Sequence, residues 1–343
     1  MKKSVYIAYT GGTIGMKLTG RHYLPVSNYL QEEMAAIPAF GHDALPTYTI
    51  NEYNPLLDSP NMTPADWSRI ARDIYDHYDE YDGFIVLHGT DTMAYTASAL
   101  AFMFDGLRKP VIVTGSQIPL CEIRNDAQEN LITALMLATA DQPIPEVTLY
   151  FNSQLLRGCR TVKVDADGFD AFDSPNFPPL AEVGIEVEVN HQLVKQPQRD
   201  DLQLQEITEP GVGALRLFPG ISADVLENML RPPLQGLVLE TYGTGNGPTN
   251  DGRFLDVLKA AADRGVVIVN VTQCLRGTVD LTKYETGTRL ADAGVISGYD
   301  MTAEAALTKL AYLLSINKEP EWVKQKIQED LRGELTGVER LIG

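Results

Sequence analysis

The chain reads as an α/β protein, with a larger N-terminal parallel-sheet domain plus a smaller C-terminal α/β domain. Three observations predict this. Short apolar runs rich in β-branched and aromatic residues alternate with amphipathic segments, the pattern of a parallel sheet covered by helices. A polar, weakly periodic stretch at 191–210, HQLVKQPQRDDLQLQEITEP, interrupts that alternation. The length of 343 residues, 44% of them hydrophobic, is enough to bury two cores. The expected division is an N-terminal domain over 1–190, a linker over 191–212 and a C-terminal domain over 213–343.

In the first half, strands are expected at 5–9, 47–53, 83–87, 111–114 and 146–151, each a short β-favouring apolar run. Helices are expected between them at 26–37, 64–78, 91–104 and 127–139. Thr63 followed by Pro64 predicts an N-cap with proline in the first turn. After the polar stretch the alternation resumes. Strands are expected at 214–218, 236–240 and 266–271, and helices at 222–230, 253–264, 303–314 and 321–331.

Charge narrows the partners. With 46 acidic against 28 basic residues the net charge is −18, which repels phosphate backbones and anionic lipid heads. Nucleic acid and membranes are therefore not expected as partners. Cys121, Cys159 and Cys274 are odd in number and widely spaced, so they form neither a disulfide framework nor a CxxC metal pair. Reduced thiols in the cytoplasm are the expectation. The N-terminal MKKSVYIAY has an apolar run too short for a signal peptide, and no stretch approaches the ~20 apolar residues of a membrane span.

In open parallel sheets, ligands bind beyond the carboxyl ends of the strands, and the unusual residues lie there. Thr10-Gly11-Gly12-Thr13-Ile14-Gly15 follows the first strand. Its glycines allow a sharp turn and close approach of main-chain N–H groups, although a plain tight turn has the same composition. It is neither GxGxxG nor GxxxxGK[ST], so a nucleotide loop is not indicated. His88-Gly89-Thr90-Asp91-Thr92 follows the strand at 83–87, where Thr90 or Asp91 either cap the next helix or face the same crevice as Thr13. Asp58-Ser59-Pro60-Asn61 follows the second strand, as a turn or as a grip on a substrate carboxylate. Lys163 lies in RGCRTVK; a lysine buried beside a threonine loses affinity for its proton and can take one from the hydroxyl. The five histidines form no HxH or HExxH pattern, and there is no GxSxG elbow, so metal hydrolysis and a serine triad are not indicated. His88 is expected to be structural.

TGGTIG after the first strand and GFIVLHGTDTM at 83–93 together resemble the two signature motifs of the bacterial-type L-asparaginase/glutaminase family. TGSQIP, RTVKVDADGFDAF, FPGISADV, YGTGNGP and LRGELT extend the similarity over nearly the whole chain and look like the cytoplasmic type I branch. The resemblance implies hydrolysis of L-asparagine to L-aspartate and ammonia without a cofactor. It also implies a homotetramer built as a dimer of dimers, with the site between subunits.

By the same resemblance, Thr13 is the nucleophile of a mobile loop and Tyr23 the loop tyrosine bonded to it. Thr90, Asp91 and Lys163 form a second triad, and Asp58 and Ser59 grip the substrate's α-amino and α-carboxylate groups. The chain departs from many secreted relatives at Pro60, where they carry glutamine; the grip there falls to the backbone, and tolerance of glutamine as substrate is not implied. Some type I members also bind asparagine at a regulatory site near 240–274. Related enzymes carry arginine where this chain has Glu240, and that reversal of charge predicts weak or absent regulation. The rival readings are a tRNA-dependent amidotransferase subunit, a non-catalytic amino-acid sensor and a generic nucleotide-binding protein. Each lacks support in the acidic charge, in the presence of all four residues Thr13, Thr90, Asp91 and Lys163, and in the missing phosphate loop, respectively.

Overall fold

A computed structural model describes residues 2–208 and 211–336. Met1, residues 209–210 of the expected linker and residues 337–343 of the expected C-terminal domain lie outside the described residues. The chain divides into two compact units, 1–205 and 206–343.

The first unit opens with β1 (Ser4–Gly11), buried along almost its whole length, as a strand covered on both faces must be. A small exposed hairpin of β2 (Met16–Thr19) and β3 (His22–Pro25) follows, then helix α1 (Tyr29–Ala36). Next come β4 (Thr47–Leu57), α2 (Pro64–Asp76), β5 (Gly83–Leu87) and α3 (Met93–Met103). Helix α2 begins with a reciprocal capping box between Thr63 and Asp66, with Pro64 in its first turn.

The two-residue β6 (Phe104–Asp105), β7 (Val111–Thr114), α4 (Ala127–Ala138) and β8 (Val147–Phe151) continue the alternation. The unit then turns to short strands: β9 (Gln154–Arg157), β10 (Val162–Lys163), β11 (Phe172–Asp173), β12 (Ala181–Val183), β13 (Val187–Val189) and β14 (Gln203–Leu204).

Among the described residues, eight of these strands form one sheet in the order β13-β12-β9-β8-β7-β5-β1-β4. The run from β8 to β4 is parallel. The other end, β9-β12-β13, is antiparallel. The polar stretch after residue 190 is tied to this unit as far as residue 205. The Arg157 guanidinium, itself in a buried ion pair with Glu146, donates to the Leu193 carbonyl. Lys195 N–H donates to Glu146, and β14 pairs with β6. Cys121, Cys159 and Cys274 form no disulfide.

The second unit holds a parallel sheet of β15 (Val212–Arg216), β16 (Gly236–Thr241), β17 (Val267–Thr272) and β18 (Val295–Ser297). Its helices are α5 (Ala223–Met229), α6 (Gly252–Asp263), α7 (Glu285–Asp292), α8 (Ala303–Ile316) and α9 (Pro320–Ile327). Lys309 of α8 is fully buried against Glu334, and its ammonium also donates to the Ile327 and Glu329 carbonyls. This closes the segment after α9 onto α8. A buried charge persists only with such complete pairing.

Candidate active site

The strand order decides what can meet. Adjacent parallel strands β4, β1, β5 and β7 bring four loops to one carboxyl edge: 58–61 after β4, 12–15 after β1, 88–92 after β5 and 115–118 after β7. Register fixes their heights. Tyr9 stands opposite both Glu52 and Leu87, and Gly11 opposite Leu57. Thr10 Oγ1 donates to the Leu87 carbonyl at 2.8 Å, locking the end of β1 to the end of β5.

Three of the loops touch. Gly12 has φ +90°, and a Cβ there would lie 2.6 Å from Gly89 Cα. A Cβ on Gly89 would lie 2.5 Å from Ser59 Oγ. A side chain at either position would collide, because the Gly12 and Gly89 backbones pack directly on one another and the buried Ser59 side chain packs against Gly89. Thr92 Oγ1 adds a 2.7 Å hydrogen bond to the Ser59 carbonyl. Thr13 then starts a short 3-10 turn, Thr13–Gly15, and is partly exposed at the edge of the crevice. Ser59 is buried, while Asp58 and Pro60 beside it are exposed. Asp58 accepts a long, 3.4 Å bond from Asn61.

Lys163 reaches this edge from β10, which is paired with β11. Its ammonium donates to Thr90 Oγ1 at 3.0 Å and to Asp91 Oδ1 at 2.9 Å. Thr90 is 7% exposed, whereas the Asp91 side chain is 60% exposed. Thr90, Asp91 and Lys163 are therefore a connected set, and Asp91 presents a carboxylate to solvent in the crevice. The side chain of Gln117, in the loop after β7, bonds Thr90 as well, at 3.1 Å.

His88 has no access to the crevice. It is fully buried, and burial pulls its pKa down to about 4, so the ring is neutral. Its Nδ1 donates to the Gly89 carbonyl at 2.6 Å, since a carbonyl only accepts. Its Nε2 accepts from Thr96 Oγ1 at 2.8 Å, and that oxygen takes a bond from Trp67 Nε1. The imidazole thus pins the Gly89 peptide to helices α2 and α3.

The Tyr23 hydroxyl is engaged by Glu122 and not by Thr13. It projects from β3, 41% exposed, and its hydroxyl donates to Glu122 Oε1 at 2.8 Å. The neighbouring carboxylate raises the phenol pKa. No hydrogen bond joins Tyr23 to Thr13. The residues brought together are thus Thr13, Ser59, Thr90, Asp91 and Lys163, with Tyr23 on a hairpin whose hydroxyl bonds Glu122 in the loop that follows Gln117. Gln117 and Glu122 were not singled out from sequence. The available signal was that TGSQIP follows another strand of the same parallel run.

Among the described residues, no group of three or more His, Cys, Asp or Glu side chains is arranged to hold a metal ion. Nor is any helix among them long and apolar enough to cross a membrane. The site offers hydroxyls, an ammonium, a carboxylate and glycine-lined backbone. That is equipment for attack on a carbonyl carbon and for holding a zwitterionic ligand.

A family profile described as "Asparaginase, N-terminal" matches residues 4–195, and one described as "Glutaminase/Asparaginase C-terminal domain" matches residues 211–326. L-asparaginase 1 of Escherichia coli K12 is 55% identical over 335 residues, 98% of either chain. The crystal structure of L-asparaginase I from Vibrio cholerae superposes with a TM-score of 0.90 at 53% identity, covering 98% of this chain and all of that one. The thermostable L-asparaginase of Thermococcus kodakarensis gives a TM-score of 0.88 at 36% identity, covering 97% of this chain and 99% of that one. With both halves matched and such identity over the whole length, the chain belongs to the asparaginase family.

Proposed function

We propose that the crevice at the carboxyl edge of β4, β1, β5 and β7 hydrolyses L-asparagine through a threonine ester. The chain is an amidohydrolase that converts L-asparagine to L-aspartate and ammonia. The observation that carries the reading is the convergence of the Thr13, Ser59 and Thr90 loops, packed glycine against backbone, with Lys163 bridging Thr90 and Asp91.

In this reading Thr13 Oγ attacks the side-chain amide carbon. The C–N bond breaks, ammonia leaves with the transferred proton, and an aspartyl ester remains on Thr13. Water then cleaves the ester. A threonine hydroxyl is a weak nucleophile and needs a proton acceptor. The leaving amide nitrogen takes that proton, while Thr90, bridged to Lys163, orients the attacking hydroxyl by a hydrogen bond on the crevice wall, and Tyr23 does the same from its hairpin if it releases Glu122. The backbone N–H groups that follow Gly12 and Gly89 receive the developing oxyanion, often the largest contribution to such catalysis. Asp91 and Asp58 offer carboxylates to the substrate ammonium, and Ser59 with the turn through Pro60 holds its carboxylate. No cofactor takes part.

We place the protein in the cytoplasm, since its three cysteines form no disulfide. We expect a homotetramer, a dimer of dimers, which sedimentation equilibrium checks as a mass four times that of one chain. The chemical test is acid quenching during turnover of L-asparagine, followed by peptide mapping. An aspartyl adduct on Thr13 is expected. An adduct on Thr90, or the same quantity of adduct in Thr13→Ala, overturns the assignment.

A further inference from the structure

We infer that Gln117 is a positioning residue that fixes the direction of the Thr90 hydroxyl, so that a lone pair of Thr90 Oγ1, and not its proton, faces the crevice. The inference rests on the reading of Thr90 as part of the active site.

The donor count leads there. A threonine hydroxyl has one proton and two lone pairs, and an ammonium only donates. Lys163 Nζ, 3.0 Å away, takes one lone pair of Thr90 Oγ1. The hydroxyl proton goes to Gln117 Oε1 at 3.1 Å. One lone pair remains, on the side left open by these two partners.

The amide of Gln117 can hold that proton only if it cannot turn over, and its surroundings forbid turning. Its Nε2 donates to the Gly168 carbonyl at 3.0 Å. A flipped amide would set an NH₂ against a hydroxyl whose proton has no other acceptor, and an oxygen against the Gly168 oxygen.

Both ends of this bridge are anchored. The Asp126 carboxylate accepts the backbone N–H of Gln117 at 2.9 Å and of Ile118 at 3.0 Å. The Asp165 carboxylate accepts the N–H of Asp167 at 2.8 Å and of Gly168 at 2.9 Å. Those two bonds also hold the Asp165 carboxyl below the usual carboxylate range. A Cβ on Gly168 would lie 2.5 Å from Asp165 Oδ2, so a side chain there would displace that carboxylate. Gln117 is therefore strung between two carboxylate-pinned loops, with the Thr90 proton as its remaining partner.

The consequence concerns proton flow. With its own proton on Gln117 and the Lys163 ammonium donating to it, Thr90 acts through its free lone pair by accepting a hydrogen bond that orients the attacking hydroxyl or water, whose proton passes to the leaving nitrogen or to the departing Thr13 oxygen. Without Gln117, the Thr90 hydroxyl rotates, its proton competes for the crevice, and Thr90 becomes a donor where an acceptor is needed. Binding of the substrate's ammonium and carboxylate is untouched by that rotation, so the effect falls on kcat rather than KM.

The test is steady-state hydrolysis of L-asparagine by the full-length protein across pH, for wild type, Gln117→Leu, Gln117→Glu and Thr90→Ala. Gln117→Leu removes the acceptor at similar size; kcat is expected to fall about tenfold with KM within roughly threefold. Gln117→Met replaces it if the leucine variant fails to fold. Gln117→Glu separates positioning from packing. Ionised, it still accepts the Thr90 proton but faces the Gly168 carbonyl with no donor to hold it in place. Protonated, it donates to Gly168 and accepts from Thr90, so its activity relative to Gln117→Leu rises as pH falls. A kcat for Gln117→Leu within about twofold of wild type, with Thr90→Ala inactive, overturns the inference alone. So does a Gln117→Glu variant no better than Gln117→Leu at every pH. An active Thr90→Ala overturns the parent reading of the site, and this inference with it.

Discussion

At the residue scale, His88 shows how a motif residue serves the site without entering it. Unfolded, an ordinary histidine takes up a proton below about pH 6.5; folded, His88 does so only near its lowered value of about 4. Between those values the unfolded chain binds more protons, so stability falls as pH falls, by at most about 1.4 kcal/mol per pH unit from this group. Thermal melting of wild type and His88→Gln between pH 7 and pH 4 is expected to show a shallower decline in the variant. Equal slopes would mean the buried ring is not what the pH acts on. The motif residues Thr13, Thr90, Asp91 and Lys163 were legible in the sequence because they sit beside glycines and at strand ends. Gln117 and Glu122 were not. Their partners, Thr90 and Tyr23, are 27 and 99 residues away, and nothing local marks those pairings.

At the element scale, the parallel strands were legible because burial on both faces leaves a continuous apolar run, as in β1 and β5. The antiparallel end was not. Strands β12 and β13 have three residues each, too few for a period-2 pattern to register. The hairpin β2–β3 escaped for a different reason. Almost every one of its side chains is exposed, so no buried face constrains its sequence. Expected helix 26–37 begins only at Tyr29, since the chain leaves the hairpin first. The exposed hairpin bonds the loop after β7 through the Tyr23 hydroxyl and Glu122. Tyr23→Phe and Glu122→Ala each remove that hydrogen bond. Each is expected to change kcat/KM for L-asparagine, with a double variant short of the sum of the single effects. Strict additivity would show that the pair is incidental.

At the scale of the whole molecule, the two α/β units were legible from the resumption of alternation after the polar stretch, but the packing of that stretch was not. Residues 193–195 bond the buried Arg157–Glu146 pair, a feature that polarity alone hides. In the second unit, the Glu240 carboxylate lies 3.2 Å from the Arg216 guanidinium, its register partner on β15. Glu304 is close enough for Glu240 to add to the rise in pKa that its burial causes. A substrate carboxylate gains nothing from an anion already paired in this way. Initial rates against L-asparagine are therefore expected to follow a simple hyperbola. A sigmoidal curve abolished by changing Thr272 or Cys274 would contradict this.

The central claim is that two threonine-bearing loops form one amidohydrolase site. Ammonia release by the purified protein tests it most directly, with L-asparagine, D-asparagine and L-glutamine, and with Thr13→Ala and Thr90→Ala alongside. The expected result is fastest turnover of L-asparagine, reduced roughly 10³-fold or more by either substitution. Binding of L-asparagine without ammonia release, or full activity in either variant, would contradict it.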